Sequence, residues 1–519
     1  MTQQASERME KSVTTAKEPV DPSGGEPTVY EISVTGRGGF VPPALDVPEA
    51  TLPNEFLRAD NGLPELSESD VVRHYLHLSQ RNFGVDSGFY PLGSCTMKYN
   101  PKICEEVARL PGFARTHPLE PPALVQGNLA LMSELQTWLA EIGGFAGVSL
   151  QPAAGAHGEL TALLMIRAYH ADRSESKRDE ILIPDSAHGT NPASTTMAGF
   201  VAVEVPSDAR GNIDLAALKA ACTNRVASLM ITNPNTLGLF DEHFAEVVRL
   251  VHECGGVVYG DGANMNALTG IVRPGEVGID LMHFNLHKTF ATPHGGGGPG
   301  SGPVGASAAL VDYLPGPIIA EEPCAGDEKS RRYCLKTPSR SIGRVSSFFG
   351  NFGMMVRAYV YIRLLGGSGL RDSAMHAVLN ANYLRARLRD LFPVPYDRVN
   401  MHEFVCQGHI EGSPVRALDI SKRLMDYGFH PPTNYFPLIV REALMIEPTE
   451  TESKPTLDAF IEAMRKIAIE ARDNPELVRS APHHMPVGRL DEVKAARELV
   501  LNDPAAPALG TPPEASASS

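Results

Sequence analysis

The sequence is short of cysteine pairs, of basic side chains and of long apolar runs, and each shortage removes a class of function. Its seven cysteines (Cys95, Cys104, Cys222, Cys254, Cys324, Cys334 and Cys406) are odd in number, widely spaced and without a C-x-x-C pair. That is the pattern of reduced thiols, not of a disulfide framework. No uninterrupted apolar run approaches the ~18 residues of a membrane helix, so no membrane partner is expected. The opening residues, MTQQASERMEKSVTTAKEPVDPSGGEP, have no secretory apolar segment, and Glu7, Glu10 and Glu18 disfavour an acid-poor transit peptide. A cytoplasmic address is the expectation. Forty-six basic against sixty-one acidic side chains give a formal net charge of -15, whereas a nucleic-acid partner calls for a basic face. With 43% hydrophobic residues in 519, the chain is neither disordered nor fibrous. At roughly 150 residues per domain, the length suggests about three units.

The order of patterns points to an α/β fold. Apolar runs ILIP (181–184), FVAVEVP (200–206), ASLMITNP (227–234), GVVYGDG (256–262) and IDLMHFN (279–285) read as buried strands. Helical patterns over 158–173, 214–222 and 241–256 alternate with them. Such alternation predicts a large, mainly parallel sheet with helices on both faces and a ligand beyond the strands' carboxyl ends. The spacing predicts further helices over 67–80, 123–142 and 372–392, and a smaller α+β domain with a strand over 402–410 and helices over 417–428 and 456–474. The expected division is a disordered tail over 1–25, an irregular N-terminal arm over 26–120, a large ligand-binding domain over 121–395, a small C-terminal domain over 396–490 and a tail over 491–519. There is no internal repeat.

The chemistry concentrates in GDGANMNALTGIVRPGEVGIDLMHFNLHKTFATPHGGGGPGSGP (260–303). It holds an aspartate at a strand end (Asp261), a lysine after the next strand (Lys288) and a glycine-rich loop (Gly295 to Gly298, then Gly300 and Gly302). Upstream, QPAAGAHGEL (151–160) places Gly155, Ala156 and His157 at a helix start, where free backbone N–H groups suit a phosphate. Pyridoxal phosphate needs an amine for a Schiff base, a carboxylate opposite its ring nitrogen, an anion pocket and a surface for its ring. Lys288 fits the first and Asp261 the second. Gly155 and Ala156 fit the third, while Ala263 and the His157 ring are placed to pack on the two faces. Thr190, Asn191, Asn235 and Thr236 follow predicted strands as polar cofactor contacts.

These stretches carry a resemblance. NLHKT (285–289), TPHGGGGPGSGP (292–303), QPAAGAHGE (151–159), DSAHGTNPA (185–193) and FYPLGSCTMKYNP (89–101) resemble the P-protein family of the glycine cleavage system, most closely its separate second subunit, over roughly residues 50–490. The resemblance implies a fold-type-I pyridoxal-phosphate enzyme that decarboxylates glycine and passes the aminomethyl group to the lipoyl arm of H-protein. It also implies a companion subunit 1 in a heterotetramer, since the chain is about half a single-chain P-protein, and it matches Lys288 to the cofactor lysine. Oxidation of the carbon by a lipoyl disulfide implies an oxidoreductase without a nicotinamide, and the sequence accordingly has no convincing G-x-G-x-x-G.

Plainer readings stand beside these. A lone lysine after a strand is usually solvated, Asp before Gly favours turns, and glycine runs are often connectors. His287 and His294 are either packed histidines or proton carriers beside Lys288. Ser94, Cys95 and Thr96 either meet the substrate or are buried small residues. Neither His287 with His294 nor His483 with His484 has zinc-site spacing, so no metal is expected. Another fold-type-I decarboxylase or carbon–sulfur lyase would share the same machinery, and a silent scaffold subunit would have no use for Lys288.

Overall fold

The computed structural model describes residues 25–57, 62–117, 120–295, 300–324 and 327–501. Of the expected tails, 1–24 and 502–519 lie outside the described residues, as do Gly296 to Gly298 of the glycine loop. Residues 491–501 include a short helix, Glu492–Arg497. Among the described residues no helix is long and apolar enough to cross a membrane.

Backbone contacts divide the chain into two units, one formed by residues up to Phe83 together with those from Ser480, the other by Gly84–Arg479. In the first, residues 25–57 form turns and a single 3-10 turn, with Phe40, Val41 and Phe56 exposed. Helix α1 (Glu68–Gln80) follows, close to its predicted span. Its start is fixed by a capping box: Ser67 accepts from the Asp70 N–H, and the Asp70 carboxylate accepts from the Ser67 N–H.

In the second unit, helix α2 (Gln126–Gly143) precedes strand β1 (Gly147–Ser149), and α3 (Gly155–Asp172) precedes β2 (Glu180–Pro184). Next come α4 (Thr190–Met197), β3 (Val201–Val205), α5 (Leu215–Ala221), β4 (Val226–Ile231), α6 (Phe244–Glu253), β5 (Val257–Gly262), β6 (Leu281–Phe284), the single turn α7 (Leu286–Thr289) and β7 (Val304–Ala306). The sheet order is β1-β7-β6-β5-β4-β2-β3. Strands β3, β2, β4, β5 and β6 run parallel, while β7 is antiparallel to both β6 and β1. Every residue of β4 and β5 is buried, as an apolar run inside a covered parallel sheet should be. β3 departs from the expectation of burial. It is the edge strand, with Val201 and Ala202 exposed. Helix α6 shows the periodic stripe in Phe244, Val247, Val248 and Val251, all buried.

A hairpin of β8 (Ile318–Cys324) and β9 (Asp327–Lys336) follows. Helix α8 (Phe352–Leu388) is two helical stretches joined where Gly366 takes φ 62, a left-handed value that glycine adopts without a Cβ penalty. The expected small α+β arrangement appears as an antiparallel sheet, β10 (Phe404–Gln407), β12 (Ala443–Ile446) and β11 (Thr433–Asn434), with helices α9 (Ala417–Asp426) and α10 (Lys454–Asp473). The segment carrying Ser94 is tied to this sheet by the Leu92–Ile446 bridge and by the Gly93 N–H on the Met445 carbonyl. A Cβ at Gly93 would lie 2.2 Å from Met445 Cγ, so this approach requires glycine.

Candidate active site

The carboxyl ends of β2, β4, β5 and β6 converge on one cavity of about 240 Å³. Parallel strands bring their following loops to the same edge of the sheet, so residues distant in sequence meet there. Of the residues expected from sequence, Lys288, Asp261, Ala263, Gly155, Ala156, Thr190 and Thr236 line this cavity.

Asp261 is buried in β5, and its Oδ1 lies 3.6 Å from His283 Nε2 on the neighbouring strand β6. The Tyr259 hydroxyl pairs with His283 Nδ1 at 2.5 Å, and burial raises that hydroxyl well above its ordinary range. It therefore donates, which leaves the imidazole proton on Nε2, facing Asp261. Burial also pushes His283 down, so the ring is neutral. Lys288 sits in the turn after β6, and its Nζ donates to the Ser94 carbonyl at 2.7 Å. Helix α3 begins at Gly155 without a side-chain cap, leaving first-turn N–H groups beside the cavity. The glycines here serve close approach: a Cβ at Gly155 would stand 2.6 Å from Asn285 Oδ1, and one at Gly302 would stand 2.0 Å from the Ala154 carbonyl oxygen.

Three expected contacts are placed elsewhere. His157 does not line the cavity. Its Nδ1 accepts from the Ala153 N–H at 3.2 Å, which turns the ring back onto its own helix start. Asn235 closes a turn, donating to the Gly211 carbonyl and accepting from the Leu237 and Leu239 N–H groups. Asn191 is buried with neither side-chain polar atom paired, and it is not among the lining residues. The exposed ring that lines the cavity is His188, with Nδ1 2.9 Å from Thr190 Oγ1. Sequence reasoning passed over it although it lies in the same DSAHGTNPA stretch, directly after a strand.

Further lining groups were also unforeseen. Glu159 accepts from Thr190 Oγ1 at 2.8 Å and from Ser194 Oγ at 3.0 Å, and burial, then the Asp261 charge, lift it to about 7. Thr232, Pro234, Asn264, Asn285, His402 and Glu403 also line the cavity, beside Ser94 and His287, which the sequence offers as a substrate contact and a proton carrier. His287 and His294 pack edge to face at 5.2 Å, and burial, then His294, depress His287 to about 3. Cys95 is raised by burial, so its thiol is not an activated nucleophile. One atom each from His402, Glu403 and Glu447 falls within a 4.8 Å group. The Glu447 oxygens already accept from Thr96, Asn264 and Asn266, so this acid is occupied by protein donors.

Two family descriptions match the chain: aminotransferase class-V over residues 160–297 and glycine dehydrogenase, C-terminal domain, over 373–483. The first spans strand β5, which carries Asp261, and the turn after β6, which carries Lys288. The chain is 58% identical over 480 residues to a probable glycine dehydrogenase (decarboxylating) subunit 2 of Caldanaerobacter subterraneus, covering 91% of this chain and 98% of that one. It is 57% identical to the protein of the same name from Halalkalibacterium halodurans, over 91% of this chain and 97% of the relative. Among solved structures it resembles an inhibitor-bound glycine decarboxylase (P-protein) of the glycine cleavage system, with TM-score 0.67, 22% identity and coverage of 80% and 93% of the two chains. A glutamate decarboxylase of Lactobacillus brevis gives 0.61 at 12% identity, over 83% and 96%. These distant likenesses show the fold alone; together with the aminotransferase class-V match it is the fold-type-I fold of pyridoxal-phosphate enzymes. The relatives, matched over nearly their whole length, establish more: this chain belongs to the family of glycine dehydrogenase (decarboxylating) subunit 2.

Proposed function

We propose that this chain is the pyridoxal-phosphate-bearing subunit of a cytoplasmic glycine dehydrogenase (decarboxylating), which removes the carboxyl group of glycine and passes the aminomethyl group to the lipoyl arm of H-protein. The observation that carries the reading is the meeting of one amine, Lys288, with the buried carboxyl of Asp261 and the uncapped start of α3 in a single cavity.

The residues fit the cofactor. Thr232 Oγ1 and Asn285 Oδ1 line the cavity with no hydrogen-bond partner among the described residues, an unsatisfied pair that a polar ligand would complete. Lys288 would hold the aldehyde carbon. Asp261, backed by the Nε2–H of His283, would keep a proton on the ring nitrogen, and the Gly155 and Ala156 amides with Thr232 would take the phosphate. His188 is the ring available to cover one face and Ala263 the small residue for the other. When bound, pyridoxal phosphate supplies an electron sink for the pair left on the α-carbon when carbon dioxide departs.

The chain's own groups prepare that step. Asp261 fixes positive charge where electrons are to be drawn. Lys288 Nζ, turned onto the Ser94 carbonyl, has a resting partner when it is not holding the cofactor. The neutral His283 and His287 add no competing charge beside it. The relatives' designation as subunit 2 supports a companion subunit 1 in a heterotetramer. The test is release of labelled carbon dioxide from glycine. Full activity is expected only with the companion subunit and lipoylated H-protein, and full-rate release by this chain alone contradicts the split-enzyme reading.

A further inference from the structure

Beyond the groups that would hold the cofactor, the cavity wall carries a buried acid with one unpaired oxygen and a buried imidazole with neither nitrogen paired. Glu403 is 3% exposed and His402 2%, they immediately precede β10, and both line the cavity. The Ser94 N–H donates to Glu403 Oε2 at 2.7 Å, while the carbonyl of the same serine accepts from Lys288 Nζ at 2.7 Å. A single residue thus links the acid to the amine. Glu403 Oε1 receives no donor among the described residues. It faces His402 Nε2 at 3.7 Å, beyond hydrogen-bond reach, and neither ring nitrogen of His402 has a partner.

The surroundings set the charge of both groups. Burial, then the nearby Glu447, pushes Glu403 well above the usual carboxyl range, against the pull of the Ser94 N–H and Lys288. Burial holds His402 below its ordinary value. Both shifts favour the uncharged form, that of a carboxylic acid for Glu403 and of a neutral imidazole for His402. With Oε2 taken by the Ser94 amide, a proton on Glu403 would sit on Oε1, the oxygen without a protein donor among the described residues.

Glycine has no side chain, so a site for it must grip its amine and its carboxylate. Yet among the described residues no arginine lines this cavity, and Lys288 is its one lining lysine. We infer that Glu403 and His402 receive the carboxylate of the amino-acid substrate as neutral hydrogen-bond donors, through Oε1–H and Nε2–H, in the place where an arginine would otherwise stand. The inference rests on the glycine reading above and names the subsite it needs. It also has a chemical reason. The carboxylate charge is lost when carbon dioxide leaves, so a guanidinium pair would stabilise the ground state more than the transition state. Neutral donors orient the group with less of that penalty.

The test compares glycine with methylamine, which lacks the carboxylate, by calorimetric titration of the purified holoenzyme in native, Glu403→Gln and Glu403→Ala forms. E403A is expected to weaken glycine about tenfold or more and leave methylamine within about twofold, whereas E403Q, still a neutral donor, stays within about threefold of native for both. Equal weakening of both ligands in E403A, unchanged glycine affinity in E403A, or E403Q weakened as far as E403A overturns the inference. Native holoenzyme that binds neither amine contradicts the glycine reading itself, and is recognised before any variant is compared. Independently of the cofactor, the native-minus-E403Q infrared difference spectrum of the cofactor-free chain should contain a protonated-carboxyl band at neutral pH, beyond the contribution that Glu159 makes to both proteins. Its absence from that difference spectrum contradicts the neutral-donor assignment.

Discussion

Lys288 Nζ donates to the carbonyl oxygen of Ser94 at 2.7 Å, and Ser94 holds that carbonyl in place from a left-handed backbone at φ 63. Such a conformation costs a non-glycine residue about 1 kcal/mol or more, and here it lets one serine serve Lys288 with its carbonyl and Glu403 with its N–H. Ser94→Gly should therefore keep cofactor affinity within about twofold, since glycine accepts the conformation freely. Ser94→Pro, which fixes φ near -65° and removes the N–H, should weaken it by about tenfold or more. Absorbance titration with pyridoxal phosphate measures both, and equal affinities would show that the Ser94 backbone is not part of the site.

Asp261→Ala removes the carboxyl but leaves the amine of Lys288. Borohydride should still trap an adduct at Lys288, while glycine-dependent carbon dioxide release falls by about 10². Unchanged kinetics would remove Asp261 from the proposed chemistry.

The two histidines of the upstream motifs separate cleanly. His188 opens onto the cavity and His157 is folded back on the Ala153 N–H. His188→Ala should weaken pyridoxal phosphate binding by about tenfold, the worth of one aromatic packing contact with its hydrogen bond. His157→Ala should lower the melting temperature more than it lowers cofactor affinity. The reverse ordering would restore the sequence-based expectation for His157.

Glu159 predicts a pH dependence. Its folded value near 7 lies above the ordinary 4.5, from burial first and the Asp261 charge second. A carboxyl raised by folding contributes its stability in full below pH about 4.5 and loses it as pH rises to about 7, because the unfolded chain ionises first. Urea unfolding of the cofactor-free chain should show it losing up to about 3 kcal/mol relative to Glu159→Gln across that window. Parallel curves for the two proteins would contradict the assignment.

A Cβ on Gly302 would meet the Ala154 backbone carbonyl at 2.0 Å, and backbone cannot swing aside as a side-chain end can. Gly302→Ala should therefore displace the start of α3, lowering both melting temperature and cofactor affinity. An unaffected affinity would detach the glycine segment from the phosphate site.

The large sheet was legible because β2, β4, β5 and β6 are apolar runs that only a covered sheet can bury. β1 (Gly147–Ser149) and β7 (Val304–Ala306) are three residues each and contain glycine, too little to show a period. The β8–β9 hairpin carries Glu321, Glu322, Arg331 and Arg332, so its sequence reads as polar. Within the site, Lys288, Asp261 and the Gly155 turn stood out because each brings a residue type with a recognisable task at a strand end or helix start. His157 and His188 could not be ranked by sequence alone, since the direction of a ring depends on the local hydrogen bond that holds it. His402 and Glu403 read only as the start of the strand expected over 402–410, with no sign of a place in the site. They precede a short strand far along the chain, and only the packing of the Ser94 segment against the β10–β12 sheet brings them to the cavity.

The central claim is that Lys288 is the residue that holds pyridoxal phosphate. Loading the purified protein with the cofactor, reducing it with borohydride and mapping the labelled peptide tests this directly. A single adduct on Lys288 is predicted, absent in Lys288→Ala. A stable adduct on any other lysine, or one that persists in Lys288→Ala, would contradict it.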